Sequence, residues 1–224
     1  MQELQRIGWE NKISEKQKSK LIFPSYRIEE KVNEVKHKRI SEQEARFLFV
    51  REMEKPENEG FYYSVETPTQ FKYTFSKNGK KLEKPIIDKE NGESGKTDVC
   101  IFDTNFNREH LVEFKALNKE LFDLEKDFIK LKYEPKENNE PNYFVHVLKS
   151  YDEGTITSLI EKYEKAFEIL IDDDSKKANG ITKENKVVVF LCFLKVAKKY
   201  KDKYIKPIQF NENNYVSELK KLIY

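Results

Sequence analysis

The chain has 224 residues, of which 38% are hydrophobic, 37% charged and 13% aromatic. A chain of this length can bury a substantial core, and its many Phe and Tyr side chains favour a folded protein over a disordered one. The formal net charge is only +2, so any affinity for nucleic acid has to come from local basic patches.

The first 40 residues are predicted to form an arm and a linker. Apolar side chains scattered among many Lys and Glu residues favour a helix or an extended arm before Pro24, with a polar linker after it. The stretch 31–39 leans basic. Such a stretch is typical of a solvated surface, and an arm that contacts phosphates is the alternative.

A helix is predicted to begin at Ser41. The residues Ser41-Glu42-Gln43-Glu44 have the pattern of a capping box, and an apolar run follows them. The helix should end near Pro56, since proline interrupts the hydrogen-bonding pattern of a helix.

Two aromatic strands are predicted next, at 61–65 and 70–76. Pro68 separates them, and Asn78-Gly79 ends the second one. The segment 80–93 is largely polar and is predicted to be a long loop.

Two short strands then carry the residues with the most distinctive chemistry. They are predicted at 98–103 and 109–116. In the second strand, Glu113 and Lys115 are two residues apart and therefore project from one face. If the strands pair, Asp98 lies beside Glu113, and two adjacent carboxylates attract a divalent metal ion. The Glu-x-Lys spacing recurs elsewhere in this charged chain, so the strand setting and Asp98 have to carry the prediction.

The remaining segments alternate between helix and strand. Apolar residues recur at helical spacing in 117–132 and 155–170, and the run 142–148 is typical of a strand. A continuous apolar run at 186–194 indicates a central strand that is buried on both faces. The tail is basic with interleaved tyrosines, which favours either a surface helix or a nucleic-acid patch. The candidate nucleic-acid ligands there are Lys198, Lys199, Lys201 and Lys203.

Asp98 and Glu113-Phe114-Lys115, in their strand setting, resemble the motif of the PD-(D/E)XK nuclease superfamily, which includes the restriction endonucleases. The predicted order over 41–150 is similar to the αβββαβ core of that superfamily. The resemblance implies an α/β fold with a restriction endonuclease-like core, in which helices flank a mixed central sheet. Residues 151–224 would form a C-terminal extension that completes the same domain.

The resemblance also implies a site and a reaction. Asp98, Glu113 and the backbone carbonyl of Phe114 would hold Mg²⁺, for which Mn²⁺ can substitute, and Lys115 would help to activate the attacking water. A helix acid often joins this site, and Glu44 is the candidate, with Glu42 as its competitor and helix capping as its alternative role. The implied activity is hydrolysis of phosphodiester bonds by a DNA endonuclease in restriction, phage defence or mobile-element processing.

Two other interpretations stay open. The chain could be a nucleic-acid or protein binding module that keeps the fold without the chemistry, or an unrelated α/β domain in which the motif is accidental. The expected partner is nucleic acid, with DNA favoured over RNA, and the question of a homodimer stays open.

The cysteines and the hydropathy predict a cytoplasmic protein without a membrane partner. Cys100 and Cys192 both lie in apolar runs, which is typical of buried thiols in a reducing compartment, although a bridge between them stays open. No stretch approaches the roughly 20 apolar residues of a membrane span, and the first residues lack the pattern of a signal peptide.

Overall fold

The structure of the protein is a computed structural model that describes residues 41–77, 80–150, 153–169, 176–177, 179–195 and 207–221. The helices with described bounds are α1 (Glu42–Met53), α2 (Leu121–Tyr133), α3 (Glu153–Phe167) and α4 (Tyr215–Lys220), and a 3-10 turn spans Pro56–Asn58. The strands are β1 (Tyr62–Lys77), β2 (Lys80–Ile87), β3 (Glu93–Phe102), β4 (Arg108–Ala116), β5 (Asn142–Ser150), β6 (Val187–Lys195) and β7 (Ile208–Asn211).

All seven of these strands belong to one sheet, in the order β2-β1-β3-β4-β5-β6-β7. Strands β4, β5 and β6 run parallel to one another, and every other neighbouring pair is antiparallel. The predicted α/β class, with a mixed sheet flanked by helices, is therefore confirmed. The predicted central position of the apolar run at 186–194 is also confirmed, because β6 has a neighbour on each side.

The sheet separates two apolar clusters. On one face, Phe128 of α2 and Tyr163 of α3 pack against Phe144 of β5. On the other face, α1 covers residues of β4 that include Phe114. Apolar side chains on both faces of the central strands produce the continuous runs in the sequence.

The two cysteines lie in different clusters. Cys100 belongs to the cluster beneath α2 and α3, and Cys192 belongs to the cluster beneath α1, so the sheet separates them. Both are buried and free. The prediction of buried thiols is confirmed, and the alternative of a bridge between them is excluded.

The capping box at the start of α1 is confirmed. The Ser41 hydroxyl accepts a hydrogen bond from the Glu44 backbone N–H at 3.3 Å, and the Glu44 carboxylate accepts one from the Ser41 N–H at 2.6 Å. The helix ends at Met53, three residues before Pro56, as predicted.

The predicted break at Pro68 is wrong, because β1 continues through it as one strand. The register against β3 shifts between Pro68 and Lys72, which marks a β-bulge. Proline has no backbone N–H to donate to the ladder, and the bulge accommodates this. Glu134, at the end of α2, accepts hydrogen bonds from the backbone N–H groups of Gln70 (2.7 Å) and Phe71 (3.0 Å). The backbone groups that the bulge takes out of the ladder are therefore satisfied by a buried carboxylate.

The predicted loop at 80–93 is also wrong, because strand β2 occupies most of it. β2 is an edge strand whose ladder pairs Ile87 with Tyr73 of β1. An edge strand keeps one side of its backbone open, so it tolerates polar residues and a proline, and its sequence resembles that of a loop. Strand β7 and helix α4 were not predicted at all.

Candidate functional site

The structure brings Asp98, Glu113 and Lys115 together on one face of the sheet. Val99 of β3 pairs with Val112 of β4, so Asp98 and Glu113 are the next residues along these two strands. This face is the one covered by α2. Phe114, between Glu113 and Lys115, turns to the opposite face and is fully buried beneath α1.

Asp98 replaces part of the ladder between β3 and β4. Its Oδ2 accepts the Phe114 backbone N–H at 2.8 Å, and its Oδ1 lies 3.3 Å from the Arg46 guanidinium of α1. The N–H and C=O of one strand residue point to the same neighbouring strand, so the Phe114 carbonyl is also directed towards β3. The carboxylate of Asp98 therefore lies at the point where the pairing of β3 with β4 ends.

Helix α2 adds two charged residues, Asp127 and Lys130. Lys130 Nζ lies 2.5 Å from Glu113 Oε1 and 3.1 Å from Asp127 Oδ1. Lys115 Nζ lies 2.6 Å from the other oxygen of Asp127, at an angle outside hydrogen-bond geometry. We call these five residues, Asp98, Glu113, Lys115, Asp127 and Lys130, the charged cluster.

The environment moves the pKa values of the three carboxylates apart. Burial raises the pKa of Glu113 well above its usual value, although Lys130 opposes this rise. Burial also raises the pKa of Asp98. For Asp127, the ammonium groups of Lys130 and Lys115 outweigh burial, so its pKa is lowered. Carboxylates in contact whose pKa values diverge are frequent in active sites.

The two lysines of the charged cluster remain protonated. Burial by itself lowers the pKa of Lys115, but the adjacent Asp127 raises it by more. For Lys130, burial is likewise outweighed by Glu113 and Asp127, and its pKa also rises. Both side chains therefore act as fixed positive charges at neutral pH.

The cluster is only partly open to solvent. The exposed fraction of the side chain is 24% for Asp98 and 16% for Lys115, against 3% for Glu113. Solvent therefore reaches the cluster at Asp98 and Lys115.

Two backbone outliers flank this opening. Glu66 has a φ of +53° and lies opposite Asp98 on β1, and Leu117 has a φ of +68° directly after β4. Non-glycine residues rarely adopt such angles, and they occur often near functional sites. The Arg46 guanidinium also lies 2.5 Å from the Glu66 carboxylate, so Arg46 connects Glu66 with Asp98.

The two candidate acids of α1 have different positions. The Glu44 carboxylate is engaged in the capping box. Glu42 instead lies at the end of β4, where its Oε1 accepts the Ala116 backbone N–H at 3.4 Å and lies 3.3 Å from Lys119 Nζ. Glu42 also contributes to the raised pKa of Lys115, so it interacts electrostatically with the charged cluster.

Sequence reasoning missed Asp127, Lys130, Arg46 and Glu66 as members of this region. One feature of the sequence could have indicated the two α2 residues, because Asp127 and Lys130 are three residues apart on the apolar side of a predicted helix. Both are buried in α2, where a charged pair needs compensating partners. Arg46 and Glu66 gave no comparable sign.

His146 and the two cysteines lie outside the charged cluster. His146 is fully buried and bonds the Tyr163 hydroxyl and the Leu117 carbonyl, both at 2.7 Å. Burial raises the pKa of Cys100 to about 11 and that of Cys192 to about 12, which leaves both thiols poor nucleophiles. The lysines proposed as nucleic-acid ligands, Lys198, Lys199, Lys201 and Lys203, and the basic stretch 31–39 lie outside the described residues.

Two features are absent from the described ranges. No three His, Cys, Asp or Glu side chains in these ranges are grouped so that they could hold a metal ion. None of the helices in the same ranges is long and apolar enough to cross a membrane.

Comparison of the chain with protein-family models, with curated proteins and with solved structures finds no match in any of the three.

Proposed function

We propose that the chain is a metal-dependent nuclease that hydrolyses phosphodiester bonds, with DNA as the expected substrate. The observation that carries the proposal is the convergence of Asp98, Glu113 and Lys115 on one face of β3 and β4, beside Asp127 of α2. Glu113, Asp127 and Lys130 of this cluster are buried, and burying charged groups is costly even when they are paired, which suggests a functional reason for keeping them.

The fold supports the same proposal. In chain order, α1, β1, β3, β4, α2 and β5 are similar to the αβββαβ arrangement of a restriction endonuclease-like core. Strand β2 is then an additional edge strand, and β6 and β7 extend the sheet on the other side.

The carboxylates offer the donors that Mg²⁺ prefers. Mg²⁺ is usually held by one or two protein carboxylates together with water and substrate phosphate, so it does not need a group of three acids. In this proposal, Asp98, Glu113 and the Phe114 carbonyl would supply the oxygen donors. A bound Mg²⁺ or Mn²⁺ would shield the phosphate charge and lower the pKa of a water.

Lys115 and Asp127 have separate parts in this proposal. Lys115, held protonated by Asp127, is a fixed positive charge two residues from Glu113, and it would stabilise the negative charge that develops on the phosphate. Its protonated state makes it a poor proton acceptor at neutral pH. Asp127 is a positioning residue, because it acts on the substrate only through Lys115.

The test is cleavage of plasmid, single-stranded DNA and RNA by the full chain with Mg²⁺ or Mn²⁺, alongside EDTA. We expect metal-dependent cleavage that falls at least about 100-fold in Glu113→Gln and in Lys115→Met. Glu109→Gln is the matched control, because Glu109 is a carboxylate of the same strand outside the charged cluster. Circular dichroism checks that each variant is folded. Cleavage that survives both cluster variants refutes this site.

One observation favours a second candidate, a binding module without chemistry. Each carboxylate of the charged cluster is already paired with a cation of the protein, so the cluster is electrically satisfied as it stands. On this hypothesis, none of the three nucleic acids is cleaved with either metal, and the folded chain still binds one of them in a gel-shift assay.

A further inference from the structure

Lys130 occupies a position lined by oxygen atoms. Its Nζ lies 2.5 Å from Glu113 Oε1, 2.8 Å from the Lys96 carbonyl oxygen and 3.1 Å from Asp127 Oδ1. The ammonium donates hydrogen bonds to Glu113 and to the Lys96 carbonyl and forms an ion pair with Asp127. The lysine side chain is only 8% exposed.

These three oxygens are of the kind that bind a hard divalent cation. Two carboxylates and a backbone carbonyl are typical ligands of Mg²⁺ and Mn²⁺. The ammonium supplies one positive charge to two buried carboxylates, and Lys115 supplies the second. Protein cations therefore take the electrostatic role that a metal would otherwise have near Glu113.

We propose, on the premise of the nuclease function, that Lys130 is a tethered cation that competes with the divalent metal for the carboxylate oxygens of Glu113. Metal binding then requires the ammonium to leave Glu113. The full chain should consequently bind divalent metal weakly, and removal of the ammonium should strengthen that binding.

The alternative is that Lys130 only compensates buried charge. In that case its removal destabilises the fold and confers no metal affinity. Both hypotheses predict a loss of stability, so stability cannot separate them. The affinity for metal ions separates the two hypotheses, because only competition predicts that it increases.

The experiment is titration of Mn²⁺ into the full chain, with free Mn²⁺ followed by electron paramagnetic resonance. We expect Lys130→Met and Lys130→Gln to bind Mn²⁺ at least tenfold more tightly than the unsubstituted chain. The matched control is Lys132→Met, because Lys132 is a buried lysine of the same helix that pairs with Glu184 instead. The tighter binding should disappear when Glu113→Gln is combined with Lys130→Met.

An unchanged or weaker affinity in both Lys130 variants overturns the inference. If a variant is unfolded, circular dichroism is repeated with Mn²⁺: recovery of the fold supports the competition, and a chain that stays unfolded counts against it. The nuclease proposal fails separately. Tighter Mn²⁺ binding without cleavage of any nucleic acid refutes the nuclease proposal and supports the competition by Lys130. Cleavage with unchanged Mn²⁺ affinity supports the nuclease proposal and refutes the competition.

Discussion

His146 should make the stability of this protein fall steeply in mild acid. The ring lies on β5 without exposed surface, between the Tyr163 hydroxyl and the Leu117 carbonyl. A neutral imidazole satisfies both partners, because one ring nitrogen donates to the carbonyl and the other accepts from the hydroxyl. Protonation would place a charge in the interior, where the positive charges of Lys115, Lys162 and Lys119 also oppose it.

The size of the effect follows from the pKa of His146. Burial lowers it from 6.5 to about 4. Between these values, the unfolded chain binds a proton that the folded chain does not, so the free energy of unfolding decreases as the pH is lowered. At 1.36 kcal/mol per pKa unit, the shift corresponds to about 3 kcal/mol, lost between pH 6.5 and 4 and fully present above pH 6.5.

The assay is urea unfolding of the unsubstituted chain and of His146→Gln between pH 4 and 8. Other groups titrate in both proteins, so the quantity of interest is the difference between their free energies of unfolding. We expect this difference to fall by about 3 kcal/mol from pH 7 to pH 4, in favour of the variant. His110→Gln, at a half-buried histidine of β4, is the control. A difference for His146→Gln that stays constant with pH would refute the reasoning.

Three further predictions concern stability, each measured by urea unfolding at pH 7. Ser41→Ala removes the side-chain half of the capping box and should cost about 1 kcal/mol, whereas Ser41→Thr should retain most of the stability. Phe128→Ala leaves a cavity among three aromatic rings and should cost about 3–5 kcal/mol, and a loss below 1 kcal/mol would contradict the packing described. Glu134→Ala leaves the Tyr73 hydroxyl, two backbone N–H groups and Arg108 without their acceptor, so we expect a loss of about 3–5 kcal/mol. A loss near zero for Glu134→Ala would mean that water replaces the carboxylate.

Local sequence patterns were sufficient for much of the fold. The helix after Ser41 has its own cap, and the strands that carry Asp98 and Glu113 contain short apolar runs, so each element is specified within about ten residues of chain. The spacing of Glu113 and Lys115 also places both on one face, because the side chains of a strand alternate. These predictions needed no knowledge of what packs against the element.

Elements at the edge of the sheet were not predictable in the same way. Strand β2 is held by its ladder to β1, and its polar residues carry little local preference for a strand. The continuity of β1 through Pro68 likewise depends on Glu134, which is 66 residues further along the chain and accepts the N–H groups released at the bulge.

The composition of the charged cluster was set by packing between distant segments. The alternation along β4 placed Glu113, but the docking of α2 onto that face brought in Asp127 and Lys130. The position of Glu42 was likewise set by tertiary packing, which brings its carboxylate to the Ala116 backbone N–H at the end of β4. A sequence shows the periodicity of each element, which determines the face on which each side chain lies. The pairing of buried charges, such as Glu113 with Lys130, depends instead on how distant elements pack together.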